Sequence, residues 1–438
     1  MKLSLNKIAF FLFFGLYLIL PEHFAVELSG SLPLLTGSRV VLTFLLLVYL
    51  ASSQGRISLR LCRDRRISQG LYAYFLVMIF VDIINIRYSM SSLKAIFTVV
   101  FEEWAVVWGV TRIVTTKKRF MSAVRTLVGA SGIVAVLSII STLIGHNLFY
   151  FLNTVQRTML QSSYIRMGLI RAEAGFGHPV YYGMYCVLMM ILAFFLYEKE
   201  PGNRRITLIC IVLNLLALVL ANSRGSMVTC AIILILIFLT SYQKMMKNYC
   251  IWIGAGCIAL LFICIVSGSI RSYVVDLFAS LINVFNKNVT VSDYGGNASG
   301  MSSRLGQLTS IIYVLRNSPV FGLGAKCHEN GLLQWFWNGQ WRELTTLDMG
   351  IVAIVVQYGL LGLIMYINLF AQWIRIPLRR RKEDITYRFL LLLVVAYLLG
   401  LLTISNLHDT MWVISALTCS YINIDKEKTF DVGPKEVT

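Results

Sequence analysis

The chain has 438 residues, of which 57% are hydrophobic and 14% are charged, and its formal net charge is +18. Soluble domains are about 25% charged, so this composition excludes an ordinary soluble protein and favours a membrane protein. Basic residues beside membrane spans fix topology, so the positive charge does not indicate a nucleic-acid partner. The nine cysteines are scattered singly, which excludes a disulfide framework and a Cys-x-x-Cys metal site.

Apolar runs of spanning length recur along the chain, since a hydrocarbon core of ~30 Å needs about 20 apolar residues per helix. The runs lie at about 7–26, 34–51, 69–86, 93–111, 126–145, 178–197, 206–222, 225–241, 250–268, 349–372, 389–406 and 409–424. This pattern predicts an all-α fold, a polytopic transmembrane helical bundle with about 12 spans. We expect a single polytopic membrane domain over residues 1–438, with no separate soluble domain.

Lysines and arginines concentrate on every second connection, as in segments 56–66, 112–125 and 375–388. The positive-inside rule places these connections in the cytoplasm, together with both termini. Residues 425–438 then form a short cytoplasmic tail. The connections on the opposite side hold fewer basic residues in a longer total sequence, so each arginine found there needs an explanation.

Two outer segments, at about 146–177 and 269–348, are much longer than ordinary connections, and long ordered loops are usually functional. The second is a large extracytoplasmic loop that we expect to carry short helices. One apolar face at helical spacing in this loop predicts a helix lying on the membrane domain. That face consists of Leu305, Leu308, Ile312 and Leu315.

Arg224 lies at the outer joint between two predicted spans, in Ala221-Asn222-Ser223-Arg224-Gly225-Ser226. It can anchor the span by reaching the lipid head groups. Alternatively, its planar guanidinium can bind a substrate phosphate through two parallel hydrogen bonds. Arg171, just before another span, either forms a surface pair with Glu173 or joins an outer arginine cluster. Together with Arg304, Arg171 and Arg224 form a candidate pyrophosphate site.

Two candidates for proton transfer follow in the large loop. The stretch Asn317-Ser318-Pro319-Val320-Phe321-Gly322-Leu323-Gly324 is a turn that can bring backbone N–H groups close to an anion. His328, four residues later, is a candidate general base, although a loop histidine is often an ordinary polar surface residue. Asp348 opens the next span, either as a second catalytic candidate or as an acid favoured at a helix N-terminus.

Trp335, Trp337 and Trp341 lie close together in the same loop. They can stack on sugar faces, or they can belong to the aromatic belt at the membrane interface. The sequence contains neither a nucleotide-binding glycine loop nor a spacing typical of metal ligands. We therefore predict a site that uses no metal and no cofactor.

Glu102 and Glu103 fall in the middle of a predicted span. A carboxylate inside a membrane is costly, and it marks a functional-site candidate. We expect these residues to be neutral, or paired with an arginine such as Arg171 or Arg224. They are the residues on which a transport function would depend.

Three segments resemble the bacterial O-antigen ligase and polymerase-like proteins. They are Arg171 with Gly175-Phe176-Gly177-His178-Pro179; Ala221-Asn222-Ser223-Arg224-Gly225; and the stretch from Arg304 through Asn317–Gly324 to Asp348 and Gln357-Tyr358-Gly359-Leu360-Leu361-Gly362. Their order and spacing, and the large penultimate outer loop, are similar to the family's pattern. One departure is that many members have Asn where His178 stands.

The resemblance implies metal-independent glycosyl transfer at the outer face of the bacterial cytoplasmic (inner) membrane, with sugars on undecaprenyl pyrophosphate as donors. By position, Arg171, Arg224 and Arg304 resemble the arginines that neutralise the pyrophosphate leaving group. The implied partners are the undecaprenyl-pyrophosphate-linked oligosaccharide, membrane lipids, a chain-length regulator and other polysaccharide-assembly proteins.

The ligase branch of the family has a His followed by Asn after the Gly-x-Gly turn. Here Glu329 separates His328 from Asn330, and Asp348 stands where many polymerases have an acidic residue. We therefore predict a polysaccharide polymerase that lengthens a surface polysaccharide, such as an O-antigen, a capsule or an exopolysaccharide. The alternatives are an O-antigen ligase, which transfers a lipid-linked glycan to another acceptor, and a transporter or flippase of a polysaccharide lipid.

Overall fold

The computed structural model describes residues 5–27, 33–52, 58–88, 91–155, 164–166, 168–241, 268, 271–272, 275, 300–405 and 408–431. The helices are α1 (Leu5–Leu16), α2 (Gly37–Ser52), α3 (Arg65–Asn85), α4 (Ser91–Thr98), α5 (Ala105–Ile113), α6 (Lys117–Ile144), α7 (Pro179–Lys199), α8 (Arg204–Ala221), α9 (Arg224–Thr240), α10 (Gly300–Asn317), α11 (Gly350–Arg380), α12 (Ile385–Gly400) and α13 (His408–Asp431). Short antiparallel hairpins pair β1 (Ala25–Val26) with β2 (Leu35–Thr36), β3 (Ile165–Arg166) with β4 (Leu169–Ile170), and β5 (Gln334–Trp337) with β6 (Gln340–Glu343). The chain is mostly helical, as the apolar runs predicted.

Within the described residues, five helices are long and apolar enough to cross a membrane. They are Arg65–Asn85, Lys117–Ile144, Pro179–Lys199, Pro201–Ala221 and Gly350–Arg380. The helices α1, α2, α9 and α12 are apolar but shorter, at 10–17 residues. The predicted run at 250–268 lies, except for its last residue, outside the described part of the chain. The prediction of about 12 spans is therefore not confirmed, although a helix covers at least part of every other predicted run.

The helix α7 is the centre of the bundle. It is packed by α6, α8, α9 and α12. Of its most apolar window, 83% is buried inside the protein, against 39% for the window in Pro201–Ala221. A helix that is hydrophobic on all sides is stable only when it is surrounded, so the uniform apolar character of α7 explains its central position.

The helix α11 is interrupted at Gly359, whose φ of 65° and ψ of −163° are not helical. The turn Asn317–Gly324 is bonded to α11 across this interruption. Four hydrogen bonds join the two backbones: Leu323 N–H to Val356 O (2.8 Å), Gly324 N–H to Gln357 O (3.0 Å), Leu360 N–H to Pro319 O (2.9 Å) and Leu361 N–H to Val320 O (3.2 Å). Backbone groups freed inside an apolar bundle must find partners within the protein, and here they do.

These bonds correct one prediction. The turn of Asn317–Gly324 was expected to offer backbone N–H groups to an anion, but those of Leu323 and Gly324 donate to carbonyls of α11. The N–H of Gly322 donates to Ser318 O at 3.0 Å. The turn therefore acts as a clasp, a segment bonded across the interruption in α11, and its N–H groups at Gly322, Leu323 and Gly324 are already used.

The helix α10, the β5–β6 hairpin and the first half of α11 enclose a second, smaller apolar core. It consists of Val314, Leu323, Cys327, Leu333, Leu344, Leu347, Val352, Ala353 and Val356. The helix predicted in this loop is confirmed as α10, but its orientation differs from the prediction. The predicted apolar face is 38–55% exposed at Leu305, Leu308, Ile312 and Leu315. Packing instead uses the opposite side of α10, where Gln307, Ser310 and Val314 are buried.

Candidate functional site

The joint between α8 and α9 holds a cluster of arginines. The helix α8 ends at Ala221, and Asn222 adopts a left-handed conformation with φ of 47°. Arg171 donates from Nε to Ala221 O (2.8 Å) and from Nη2 to Asn222 O (3.2 Å). Arg166 donates from Nη1 to the same Asn222 O at 2.9 Å. Both guanidinium groups therefore bind carbonyls freed at the end of α8, where the helix dipole favours cations.

Arg224 begins α9, two residues beyond the carbonyl that both arginines bind. A Cβ atom at Gly225 would lie 2.6 Å from Thr403 Oγ1, so only glycine fits where α9 meets the connection between α12 and α13. Arg224 is half-buried. Arg224 therefore lies at the start of a helix, next in the chain to the joint that Arg166 and Arg171 bind, and the partial positive charge of the helix adds to the attraction for an anion there.

Asp348 precedes α11 and is bound to α10. Gln307 Nε2 donates to Asp348 Oδ2 at 3.3 Å, and the Asp348 N–H donates to Gln307 Oε1 at 3.1 Å. Gln307 is 1% exposed, so the buried amide fixes the position of the carboxyl group. Arg304 lies three residues before Gln307 on α10, a spacing that places both side chains on one helix face. Arg304 and Asp348 therefore flank the same glutamine.

The connection Leu401–Ser405 brings these two parts of the site together. The N–H of Gly350, two residues after the aspartate, donates to Leu401 O at 2.8 Å. In the same connection, Thr403 lies against Gly225 at the start of α9. The starts of α9 and α11, next to which Arg224 and Asp348 lie, are therefore both packed against this one connection at the same end of the bundle.

His328 lies in the turn that follows Gly324. Its Nε2 is 3.9 Å from Glu329 Oε1, and its side chain is 16% exposed. Burial lowers the pKa of His328 below its ordinary value of 6.5, so the imidazole is neutral at neutral pH. A neutral imidazole can accept a proton, as a general base must. Within the described residues, the His328 ring lies near Glu329 and Asp348 is hydrogen-bonded to Gln307, so the two candidate bases have different surroundings.

We expect the rate of the glycosyl transfer that the resemblance implies to depend on the protonation of His328 only at acidic pH. Because burial lowers the pKa of His328, the neutral form predominates at pH 7, and the rate should fall as the pH drops through the lowered pKa. His328→Gln should reduce the rate by at least about 100-fold and remove the acid limb. The pH–rate profiles of both purified proteins measure this effect, and a profile that the substitution leaves unchanged would favour Asp348 as the base.

The three tryptophans lie on or beside the β5–β6 hairpin, an element that the sequence pattern did not predict. Trp335 and Trp337 stack with ring centroids 4.7 Å apart and rings 11° from parallel. They pack on α10, where a Cβ atom at Gly306 would lie 2.7 Å from the Trp337 ring. Trp341, paired with Phe336 across the hairpin, is 41% exposed. Of the three rings, Trp341 is the one most open to a sugar.

Glu102 and Glu103 lie in a π-helical turn between α4 and α5. Glu102 forms an ion pair with Arg39 of α2, with side chains that are 17% and 12% exposed. Glu103 is 2% exposed. The predicted pairing with an arginine is therefore confirmed for Glu102, but its partner is Arg39 rather than an arginine of the outer segments.

Two residues of the site were not predicted. Arg166 is an outer arginine five residues before Arg171, so the charge bias that indicated Arg171 applies equally to Arg166. Gln307 gives no local signal, because its partner Asp348 lies 41 residues further along the chain. Only the fold reveals that this glutamine holds a carboxyl group.

The fold and the site define a helical membrane protein with arginines gathered around one helix joint. Residues 209–367 match a family model described as O-Antigen ligase. This match confirms the resemblance to the O-antigen ligase and polymerase-like proteins. The matched segment includes Arg224, Arg304, His328 and Asp348, whereas Arg171 precedes it. A search of curated proteins finds no match to the chain.

Proposed function

We propose that the chain is a polysaccharide polymerase. It joins oligosaccharide repeat units carried on undecaprenyl pyrophosphate at the outer face of the bacterial cytoplasmic membrane. The observation that carries this proposal is the grouping of Arg166, Arg171 and Arg224 around one helix joint at an end of an apolar bundle. Such a grouping suits a substrate that is a lipid at one end and bears its negative charge in a pyrophosphate.

In the proposed reaction, a hydroxyl oxygen of the acceptor sugar attacks the anomeric carbon of the donor sugar. The bond from that carbon to the pyrophosphate oxygen breaks, and undecaprenyl pyrophosphate leaves with the electron pair. The hydroxyl proton passes to the base, for which His328 and Asp348 are the candidates. A positioned base contributes ~10²–10⁴-fold. The donor arrives already activated on its lipid, so the transfer needs no nucleotide.

The arginines act on the charge that grows on the leaving group. Fixed cations that stabilise such charge are commonly the largest single contribution to catalysis. Arg224 and Arg304 are the proposed direct contacts to the pyrophosphate. Arg166 and Arg171 add positive charge at the same joint. They also position it, because their bonds to the carbonyls of Ala221 and Asn222 fix the joint from which Arg224 extends.

The second candidate is an O-antigen ligase, which the description of the matched family favours. A ligase would transfer a finished glycan from the same lipid carrier to another acceptor. The leaving group is the same in both reactions, so the arginines would serve either one. The two proposals differ in the acceptor alone.

A deletion strain separates the two proposals. Loss of a polymerase leaves single repeat units on the surface or on the lipid carrier, whereas loss of a ligase leaves long chains on the carrier. The size distributions of surface and lipid-linked glycans measure the difference, with the strain complemented by the wild-type gene as control. We expect single repeat units. Distributions identical to those of the parent strain would contradict both enzymatic proposals.

A further inference from the structure

A cavity of about 210 Å³ lies between α3, α11, α12 and α13, at the end of α11 far from the arginine cluster. On the orientation proposed above, this end faces the cytoplasm. The cavity lining is strongly basic. It comprises Asp64, Gln372, Arg375, Ile376, Arg379, Arg380, Tyr387, Ile422 and Lys426.

Two of the four cations are neutralised by neighbouring acids. Lys426 Nζ lies 2.7 Å from Asp64 Oδ2. Arg380 forms an ion pair with Asp425, whose Oδ2 also accepts a hydrogen bond from the Tyr387 hydroxyl at 2.9 Å. These pairs hold the ends of α3, α11, α12 and α13 together around the cavity.

The other two cations, Arg375 and Arg379, have neither a hydrogen-bond partner nor an ion-pair partner within the described residues. They stand four residues apart on α11, so their guanidinium groups line the cavity from one helix face. Like charges at this spacing repel each other, and an anion bound between them would remove the repulsion. Two planar guanidinium forks match the oxygen geometry of a phosphate.

Gln372, one turn before Arg375, contributes a buried hydrogen-bond acceptor to the cavity lining. Its Oε1 is buried and has no hydrogen-bond partner in the part of the chain that the structure describes. Its Nε2 is directed to Asn368 Oδ1 at 3.4 Å. A buried acceptor normally receives a hydrogen bond, and a hydroxyl group on a ligand in this cavity would supply one.

We propose that this cavity binds a phosphate diester that carries hydroxyl groups, and that its source is an anionic phospholipid such as phosphatidylglycerol. Basic pockets between membrane helices on the cytoplasmic side bind headgroups of this kind. The cavity is smaller than the ~300–1,000 Å³ pockets that enclose drug-sized ligands, which favours a headgroup over a nucleotide. The inference does not depend on the polymerase assignment.

The test uses the full-length protein reconstituted in phosphatidylcholine nanodiscs with increasing fractions of phosphatidylglycerol. Native mass spectrometry counts the phosphatidylglycerol molecules that stay bound. We expect the double variant Arg375→Gln/Arg379→Gln to bind about 30-fold more weakly than the wild type, at roughly a fivefold loss for each charge. The matched control is Arg381→Gln/Lys382→Gln, which removes two exposed charges next to the cavity lining. The control should bind like the wild type.

Arg379→Gln alone serves as a second variant, since Arg379 is exposed and its replacement leaves the packing of α11 intact. Glycerophosphoglycerol, a soluble phosphate diester, is added to the wild type in pure phosphatidylcholine to test a soluble source of the same chemistry. Saturation by glycerophosphoglycerol, lost in the Arg375→Gln/Arg379→Gln variant, would support the phosphate site and overturn the lipid source. Equal retention of phosphatidylglycerol by all variants, or equal loss in the control, would overturn the site.

Discussion

Replacing Arg224 with alanine is expected to remove long polysaccharide chains and to lower the rate of polymerisation by about 10²–10³-fold. Removal of one preorganised group that stabilises charge in a transition state has an effect of this size. Arg224 begins α9 directly after the joint that Arg166 and Arg171 bind, so its loss removes one of the two cations proposed to contact the leaving pyrophosphate. Arg224→Lys should retain a small part of the activity, because lysine keeps the charge but not the planar fork.

The measurement is the length distribution of surface glycans in cells, with the amount of protein in the membrane checked for each variant. Arg316→Ala is the matched control, since Arg316 is an exposed arginine at the end of α10 and has no proposed role. The control should give chains of wild-type length. Wild-type chains from Arg224→Ala at a normal protein level would remove Arg224 from the proposed site.

Replacing Gly359 with alanine is expected to lower the free energy of unfolding by about 4 kcal/mol. The φ of 65° and ψ of −163° at this position are strained for any residue with a Cβ atom, at ~1–3 kcal/mol. The added Cβ would lie 2.3 Å from Val320 O and 2.6 Å from Gly322 N, and such crowding costs a further ~1–3 kcal/mol. Because these atoms belong to the turn that clasps α11, the substitution should release the segment that leads to His328.

Thermal unfolding of the detergent-purified protein measures this loss, and polymer length measures its consequence. Gly129→Ala in α6 is the matched control, because a Cβ atom there meets nothing within 4 Å and the residue is exposed. The control should unfold at or slightly above the wild-type temperature. Two equal melting temperatures would mean that the interruption at Gly359 carries no special strain.

The helical part of the fold was predictable because a spanning helix needs a continuous run of apolar residues, which is visible in the local sequence. Each predicted apolar run in the described chain overlaps a helix, and α10 appears where leucines recur at helical spacing. Periodicity shows that the apolar residues share one face of α10, but it does not show whether that face is packed. The prediction took this face as the packed one, and in the structure it is exposed. The buried side of α10 carries the polar residues Gln307 and Ser310, and Gln307 is buried there because it is hydrogen-bonded to Asp348.

Pairings between distant segments were not predictable. The clasp at Gly359 joins residues about 33 to 41 positions apart, and neither segment alone indicates that the other will supply carbonyls. Glu102 pairs with Arg39, 63 residues earlier, although the sequence pointed to the outer arginines. The arginines themselves were predictable because the positive-inside bias leaves few on the outer side, and that bias is a property of the whole chain.

The central claim is that the chain forms glycosidic bonds by releasing undecaprenyl pyrophosphate. The most direct measurement supplies purified protein in vesicles with undecaprenyl-pyrophosphate-linked repeat units in the presence of a metal chelator. We expect lipid-linked chains of two or more units, one undecaprenyl pyrophosphate released for each bond formed, and neither product from Arg224→Ala. Repeat units that remain single, with no pyrophosphate carrier released by the wild-type protein, would contradict the account.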